Sequence, residues 1–295
     1  MWKTVVRRVL IMIPQLFILS ILIFIMAKNM PGDPFTGLIT PETDPAVIEK
    51  LREKAGLNDP WPVQYYNWIT NAAQGDFGKS YVYKVQVADL IGEKALNTLW
   101  LSLLSVLLIY LIAIPLGVLA GRYQNSTLDK SVVLYSYISY AIPTFVLALI
   151  FLYIFGFNFP IFPTSGSVDV TVDKGTIEYV WSKFYHILLP AITYALLGTT
   201  AVIQYLRSEV IDAKGQDYVR TARSKGIPIA KVYTRHIFRN SLLPIAAFLG
   251  FTITGLLGGS IFIETVFGYP GMGQLFVSSI QARDYSVITA LVLLF

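Results

Sequence analysis

The amino-acid sequence predicts an all-α membrane protein, and three observations lead to that fold class. Apolar residues make up 55% of the chain, and the mean hydropathy is +0.59. Charged residues contribute only 14%, whereas a soluble domain carries about 25%. The apolar residues form long continuous runs, which are typical of spanning helices. A membrane β-barrel would instead show segments of about ten residues with alternating polarity.

Five of these runs reach the roughly 20 residues that a spanning helix requires. They cover 9–27, 99–121, 132–156, 187–206 and 243–263. A sixth run begins near Tyr285 and is still apolar at Phe295. The sequence therefore predicts a polytopic bundle of six transmembrane helices, the last of them truncated, in a single transmembrane domain that covers 1–295.

The first run has two interpretations. Basic residues precede it at Lys3, Arg7 and Arg8, as they precede the apolar core of a signal peptide. The run is long for such a core, however, and it ends in IMAKNMPGDP without a small-x-small cleavage site. We therefore expect a retained first span.

The distribution of Lys and Arg between the loops predicts the orientation of the chain. The N-terminal segment and the loop 207–242 are strongly basic, and the turn 121–131 contributes two further basic residues. Acidic residues outnumber basic ones in the remaining loops, which are 28–98, 157–186 and 264–286. We expect the N-terminus to be cytoplasmic and these three loops to face outside.

The outer segment 28–98 is too long to be a simple connection between spans. One helical pattern begins at Pro45, which Asp44 can cap, and stops at Gly56. A second pattern, rich in aromatic residues, covers about 63–73. The segment is either a cap that shields the bundle or a docking surface for an extracytoplasmic partner.

Ionisable residues are almost absent from the predicted spans. Charges inside the membrane mark proton relays and ion sites, so their scarcity disfavours a carrier coupled to protons or sodium. We expect three prolines to kink their helices, namely Pro115, Pro143 and Pro190. Glycines of the fifth span serve either close helix packing or a transport pathway: Gly250, Gly255, Gly258 and Gly259. Polar residues inside the spans do not identify a substrate site.

The sequence offers no catalytic or metal-binding constellation. Cysteine is absent, which excludes disulfides, thiolate metal ligands and a thiol nucleophile. The two histidines, His186 and His236, fall on opposite sides of the predicted membrane. Gly78-Lys79-Ser80 is similar to the end of a phosphate-binding loop, but that pattern requires a glycine at Ala73 and a preceding strand. We therefore expect neither an enzyme nor an ATP-binding chain.

The most informative segment lies between two apolar runs, at 207–244. It carries eight basic and three acidic residues, and its net charge of +5 equals the formal charge of the whole chain. Asp217 is a suitable helix N-cap, and Gly226 stands where a left-handed residue would end the helix two turns later. Pro228 then opens a second helix that leads to Leu243-Pro244 at the membrane.

Such a short basic helix between two spans has two physical interpretations. It can transmit a push from a soluble partner into the bundle. Alternatively, it is a loop that obeys the positive-inside rule or touches anionic lipid. The residues alone do not separate these two interpretations.

The loop resembles the coupling-helix motif of ABC importer permeases, whose general form is E-A-A, three residues, G, and then I-x-L-P. Gly226 matches the glycine and Leu243-Pro244 the final pair, while 220–222 agrees with E-A-A only at Ala222. The longer spacing is similar to the peptide/nickel subclass, which reads A-R-x-K-G followed by H-x-x-x-N-x-x-x-P. In this chain the matching residues are Ala222, Arg223, Lys225, Gly226, His236, Asn240 and Pro244.

The resemblance extends from the N-terminus to the last residue. Five further motifs are similar to those of the first permease subunit of the oligopeptide type: RRVLIMIPQL at 7–16, MPGDP at 30–34, PVQYYNW at 62–68, GDFGKS at 75–80 and ETVFGYPGMG at 264–273. Each motif is modest alone, but their order and spacing together are specific. The chain is identified as a member of the oligopeptide-type ABC permeases.

The resemblance implies the fold of a type I ABC importer permease and a coupling role for the helix at about 217–227. This helix would sit in a groove on an ATP-binding subunit, and closure of two such subunits would switch the bundle from inward- to outward-facing. The implied coupling residues are Asp217, Tyr218, Val219, Arg220, Thr221, Ala222, Arg223, Lys225 and Gly226.

The same resemblance implies the partners and the location. We expect a second homologous permease, two ATP-binding subunits, an extracytoplasmic substrate-binding protein and the lipid bilayer as partners, and no nucleic acid. ATP and Mg would bind the partner subunits, with no cofactor on this chain. The expected location is the plasma or inner membrane.

Oligopeptides are the expected substrate. Dipeptides, nickel chelates or other small solutes are alternatives that use the same mechanism. A secondary carrier or channel and a membrane scaffold that does not transport are alternatives from other classes, and ATP-dependent uptake would separate both from an ABC permease.

Overall fold

A computed structural model of the protein describes residues 2–29, 45–54, 56–254 and 261–295. Helices dominate this part of the chain: α1 Trp2–Lys28, α2 Pro45–Lys54, α3 Trp61–Ala73, α4 Val87–Arg122, α5 Thr127–Ala141, α6 Thr144–Leu152, α7 Ile177–Lys214, α8 Asp217–Ser224, α9 Ile229–Lys231, α10 Phe238–Thr254, α11 Ile261–Val266, α12 Met272–Ala282 and α13 Tyr285–Leu294. Two π-helical segments, Tyr153–Asn158 and Val232–Ile237, follow α6 and α9. Within the described ranges the β structure is one isolated bridge between Lys79 and Gln86. The predicted all-α fold class is therefore confirmed.

The chain divides into two compact units, Met1–Leu96 with Gln274–Phe295, and Asn97–Gly273. In the first unit α1 packs against α3 and α13. The Ser20 and Tyr65 hydroxyls are 2.8 Å apart, and the Phe24 ring lies 5.5 Å from that of Tyr65. These contacts bind the outer segment to the first span.

A buried carboxylate fixes the start of α13 in the same unit. Asp284 accepts hydrogen bonds from the Ser80 hydroxyl and from the backbone N–H groups of Tyr81 and Val82, the last two at 3.2 Å. Because these donors satisfy both carboxyl oxygens, Asp284 tolerates complete burial. The outer loop and the last helix are thereby joined.

The second unit contains the densest helix packing. A large apolar cluster joins α4, α6, α7 and α11, and a second one joins the end of α7 to α8 and α10. Gly117 and Gly121 let α4 approach α7 closely, because a β-carbon at Gly121 would lie 2.7 Å from Val210 Cβ and 2.8 Å from the Arg207 carbonyl oxygen. Such small-xxx-small spacing is typical of helix contacts in membranes.

Three of the six predicted spans lie within long helices. Three helices of the described residues are long and apolar enough to cross a membrane, namely α1, α4 and α7. They contain the predicted spans 9–27, 99–121 and 187–206. The fifth run begins in α10, and its glycines at 255, 258 and 259 lie outside the described residues, as do the MPGDP motif and Asp44.

The third predicted span is divided into two helices. α5 and the segment Thr144–Asn158 are bent by 97° across the break at Ile142 and Pro143. The predicted kink at Pro143 is therefore present and sharper than a proline kink inside one helix. In contrast, α4 and α7 continue through Pro115 and Pro190.

The helical patterns of the outer segment are confirmed. The first helix covers Pro45–Lys54, and Gly56 follows it with a positive φ of 65°. The second begins at Trp61, two residues before the predicted start, because Pro60 is its N-cap and Pro62 suits the first turn. Gly78-Lys79-Ser80 comes after this helix rather than after a strand, as the argument against a phosphate-binding loop requires.

Candidate functional site

The basic loop folds into the short helix α8, but its N-cap differs from the prediction. Gln216 occupies the N-cap position with an extended backbone, φ −73° and ψ 149°, and its carbonyl oxygen accepts from the Val219 N–H at 3.0 Å. Asp217, which we expected as the cap, is the first helical residue. Its exposed carboxylate lies 3.6 Å from the Arg220 guanidinium instead, and its negative charge suits the positive end of the helix dipole.

The C-terminus of α8 follows the prediction. Gly226 has a φ of 73°, its N–H donates to the Arg223 carbonyl at 2.9 Å, and the Ile227 N–H donates to the Ala222 carbonyl at 3.3 Å. This pair of bonds is the Schellman arrangement, which requires a left-handed residue after the C-cap, Lys225. Glycine is the residue that adopts this conformation without strain.

Two of the nine predicted coupling residues anchor α8 to the rest of the protein. Val219 and Ala222 are buried, at 0% and 4% exposure, and lie one turn apart on the same face. They pack in the apolar cluster with residues from the end of α7 and the start of the following helix: Leu206, Val210, Ala213, Val232, Ile237 and Ile245. A surface partner does not reach these two side chains.

The other seven predicted residues form an exposed polar face. They are Asp217, Tyr218, Arg220, Thr221, Arg223, Lys225 and Gly226. Three cations and one acid give this face a net positive charge. The structure therefore separates the nine residues into two anchors and a seven-residue surface, a division that the sequence analysis did not make.

A helix that contains a π-helical segment leads from α8 back to the membrane. Pro228 is the N-cap of α9, and the helix continues through Val232–Ile237 into α10, as the sequence predicted apart from the π-helical turns. The Arg122 guanidinium at the end of α4 stacks 4.7 Å from the Tyr233 ring centroid. π-helical turns often occur at functional sites.

Polar contacts tie the same region to neighbouring helices. Lys214, the last residue of α7, donates from Nζ to the Gly121 carbonyl at 2.7 Å. This carbonyl lies at the C-terminus of α4, where carbonyl groups lack partners within the helix and attract cations. The lysine therefore fixes the end of α7 to the end of α4.

A second tie is the ion pair between α5 and α7, in which the Asp129 side chain is buried and the Arg207 side chain is partly exposed. Arg207 Nε lies 2.5 Å from Asp129 Oδ1, and Nη2 lies 2.8 Å from Oδ2. The Asn125 N–H donates to the same carboxylate at 2.8 Å. These bonds, first of all that from Arg207, hold the pKa of Asp129 below its ordinary value.

The ETVFGYPGMG motif forms a second buried arrangement within this unit. Glu264 is fully buried, and its carboxylate accepts from the Thr98 hydroxyl at 2.7 Å and from the Gly273 N–H at 2.6 Å. A β-carbon at Gly271 would lie 2.5 Å from Glu264 Oε1. The Glu264 carboxylate therefore occupies the space that a side chain at Gly271 would need, and it is held by the Gly273 N–H group.

Sequence reasoning missed the residues that brace α8. Asp129 and Arg207 are separated by 78 positions, and no local pattern relates them. Gly117 and Gly121, in contrast, form a small-xxx-small pattern in the second span, and this pattern predicts a close helix contact.

Comparison with known proteins identifies the class of this chain. Residues 113–295 match the family described as "Binding-protein-dependent transport system inner membrane component". Residues 1–102 match the family described as "Binding-prot-dependent transport system membrane comp, N-term". The chain belongs to this family and is a permease subunit of an ABC importer, a multi-pass membrane protein.

Individual relatives cover nearly the whole chain. It is 40% identical over 288 residues to the oligopeptide transport system permease protein AppB of Bacillus subtilis (strain 168), covering 97% of this chain and 90% of the relative. It is 34% identical over 295 residues to the glutathione transport system permease protein GsiC of Escherichia coli (strain K12), covering 100% of this chain and 92% of that relative. The resemblance to the oligopeptide-type permeases is thereby confirmed.

Proposed function

We propose that this chain is one membrane half of an ATP-driven importer of oligopeptides, and that α8 receives the force generated on the ATP-binding subunits. The observation that carries the proposal is the two-sided construction of α8. Its basic face is exposed, while Val219 and Ala222 bury the other face against the ends of longer helices. A push on the exposed face is therefore passed to those helices.

The remaining parts of the importer lie on other chains. A second homologous permease would complete the pathway, and two ATP-binding subunits would hold ATP and Mg. An extracytoplasmic binding protein would deliver the substrate, with the segment 28–98 as its contact surface on this chain. The cytoplasmic loop 207–242 would couple ATP hydrolysis to alternating access of the single transmembrane domain.

Oligopeptides are the substrate class that the comparisons favour. The oligopeptide permease of Bacillus subtilis has the higher identity of the two relatives described above. The glutathione permease supports a second candidate, because glutathione is itself a short peptide. The near absence of charged residues in the predicted spans fits an importer driven by ATP rather than by an ion gradient.

The test of the transport function is uptake into proteoliposomes that contain the importer purified with its partner chains. We expect uptake of a labelled pentapeptide that requires ATP inside the vesicles and the binding protein outside. Uptake that persists without ATP would instead indicate a carrier or channel. Failure to move any solute, with a lipid or protein bound to the basic loop, would indicate a scaffold.

The test of the coupling role uses the absence of native cysteine, since an introduced cysteine is then the only thiol in this chain. Thr221→Cys places a thiol on the exposed face of α8, and Gln124→Cys places a matched thiol on an exposed cytoplasmic turn. We expect the ATP-binding subunits to protect position 221, but not position 124, from a membrane-impermeant maleimide. Equal labelling of both positions in the assembled importer would contradict the proposed contact.

A further inference from the structure

The break in the third predicted span lies at a depth where irregular backbone is unusual. Ten residues separate Val132, at the start of the apolar run, from Ile142, at the break. At about 1.5 Å per helical residue this corresponds to roughly 15 Å, or half of a hydrocarbon core of about 30 Å. Non-helical backbone at such depth requires burial in protein or a water-filled cavity.

The described part of this chain leaves the break exposed. Ala141 and Pro143 are exposed, and the helices on the two sides diverge by 97°. Within the described residues, no hydrogen bond is formed by the carbonyl groups of Ser139, Tyr140 and Ala141, or by the N–H groups of residues 144 and 145. Proline at 143 lacks the N–H group that would otherwise donate to the Ser139 carbonyl.

The chain therefore presents both acceptors and donors at one point of the span. An unsatisfied backbone group in hydrocarbon costs several kcal/mol, so lipid is an unsuitable neighbour. A ligand that matches the break has to carry donors and acceptors in close succession. The main chain of a peptide carries them at every residue.

Two exposed tyrosines precede the break on α5. Tyr137 and Tyr140 are 70% and 69% exposed, and they lie three residues apart, on the same side of the helix. Tyr135 behaves differently, because its hydroxyl donates to the Leu196 carbonyl and lies 2.8 Å from Thr199 Oγ1. Neither Tyr137 nor Tyr140 has such a hydrogen bond within the described part of the chain.

We infer that the break at Ile142-Pro143, together with Tyr140 and Tyr137, is a contact site for the main chain of the transported peptide. The free carbonyl and N–H groups would bond the peptide backbone, and the phenol rings would pack against side chains of varied kind. Recognition of the main chain accepts many sequences, which suits an importer whose selection occurs elsewhere. This inference rests on the proposed transport of peptides.

Photo-cross-linking in the complete importer tests the site directly. Benzoyl-phenylalanine replaces Tyr140 in one sample and Leu107 in a control, since Leu107 is 62% exposed on α4 within another predicted span. A biotin-tagged pentapeptide is supplied with ATP and the binding protein. We expect peptide attached to this chain from position 140 and not from position 107.

Two other products would overturn the inference. Cross-links from position 140 only to a second permease chain would show that a protein interface covers the break. Cross-links only to lipid would show that the break faces the bilayer. If the importer takes up no peptide at all, the proposed function is wrong, and the inference that rests on it is wrong as well. Uptake of peptide without a cross-link from position 140 would contradict the inference alone.

A kinetic measurement separates substrate contact from a structural role. Tyr140→Phe removes one hydroxyl group and keeps the ring, so we expect a KM for peptide uptake that rises between about twofold and tenfold, the range that loss of one hydrogen bond produces. An unchanged KM for Tyr140→Phe and also for Tyr140→Ala, in importers that still transport peptide, would refute the contact.

Discussion

Replacement of Gly226 by valine tests whether the left-handed turn at the end of α8 is required for coupling. Gly226 has a φ of 73°, and no atom lies within 4 Å of the position that a β-carbon would take. Steric crowding is therefore absent, and the cost of the substitution is the backbone strain alone. That strain is about 1–2 kcal/mol for a residue with a β-carbon, and valine is least suited to it.

A strain of this size shifts the equilibrium between the formed and the open turn by a factor of about 5–30. Opening the turn breaks the bonds from Gly226 N–H to Arg223 O and from Ile227 N–H to Ala222 O, which measure 2.9 and 3.3 Å. The exposed face of α8 would then lose its fixed position relative to the buried anchors. We expect the importer to hydrolyse ATP with a reduced yield of transported peptide per ATP.

The assay measures peptide uptake and ATP hydrolysis in the same proteoliposomes, with two matched controls. Gly226→Asn retains a residue that tolerates the left-handed region. Gly215→Val places valine in the same loop at a φ of −82°, where a β-carbon would meet only the Asp212 carbonyl oxygen, at 3.6 Å. Both controls should keep the wild-type yield. The reasoning fails if Gly226→Val keeps that yield too, or if Gly215→Val loses as much of it.

Further substitutions test the packing around α8. Gly121→Val should displace α4 from α7, because a β-carbon at this position already lies 2.7 Å from Val210 Cβ, and we expect a lower melting temperature of the purified importer. Val219→Ala removes two buried methyl groups, so hydrogen exchange in α8 should accelerate. Asp129→Asn removes the charged partner of Arg207, whose side chain is 22% exposed, and should destabilise the protein by about 2 kcal/mol at neutral pH. Since the pKa of Asp129 is lowered in the folded state, this contribution is present above the ordinary carboxyl pKa of about 3.9 and is lost as the pH falls through the lowered value.

Controls for these variants come from exposed neighbours. Gly92→Val lies on α4 with no atom within 4 Å of the added β-carbon, so it should keep the melting temperature. Thr221→Ala changes an exposed residue of α8 and should leave hydrogen exchange there nearly unchanged. The exposed pair of Asp217 and Arg220, 3.6 Å apart, should show almost no coupling energy in a double-mutant cycle. A coupling energy for Asp129 and Arg207 as small as that would contradict the ion-pair argument.

Local sequence patterns predicted the elements of the coupling region well. Gly226 was identified as a left-handed position because a glycine directly after a basic helical turn is typical of a residue that ends a helix with a positive φ. The N-cap was wrong by one residue, since Asp217 suits both the cap and the first turn of a helix. Only the backbone geometry shows which of residues 216 and 217 is the N-cap, and a local sequence pattern does not contain that geometry.

Long-range contacts account for what the sequence left open. The 97° break in the third span lies at Ile142 and Pro143, but Pro115 and Pro190 occur in helices that continue. The residue type is the same in all three cases. Whether a helix continues through a proline depends on how the freed carbonyl group is satisfied, and a local pattern does not contain that information. The same limitation applies to the pairing of Asp129 with Arg207.

Under the proposed coupling role, the contacts of α7 would turn a push on α8 into a movement of several helices together. Its last turns carry the apolar anchor of α8 through Val210, and Lys214 bonds the end of α4 at 2.7 Å. Arg207 bonds the start of α5 through Asp129. A displacement of α8 that moved α7 alone would break an apolar contact, the hydrogen bond from the Lys214 side chain and the Asp129–Arg207 ion pair. Rotation of the linked helices as one body keeps all three contacts. One of these helices, α5, ends at the exposed break where we place the peptide.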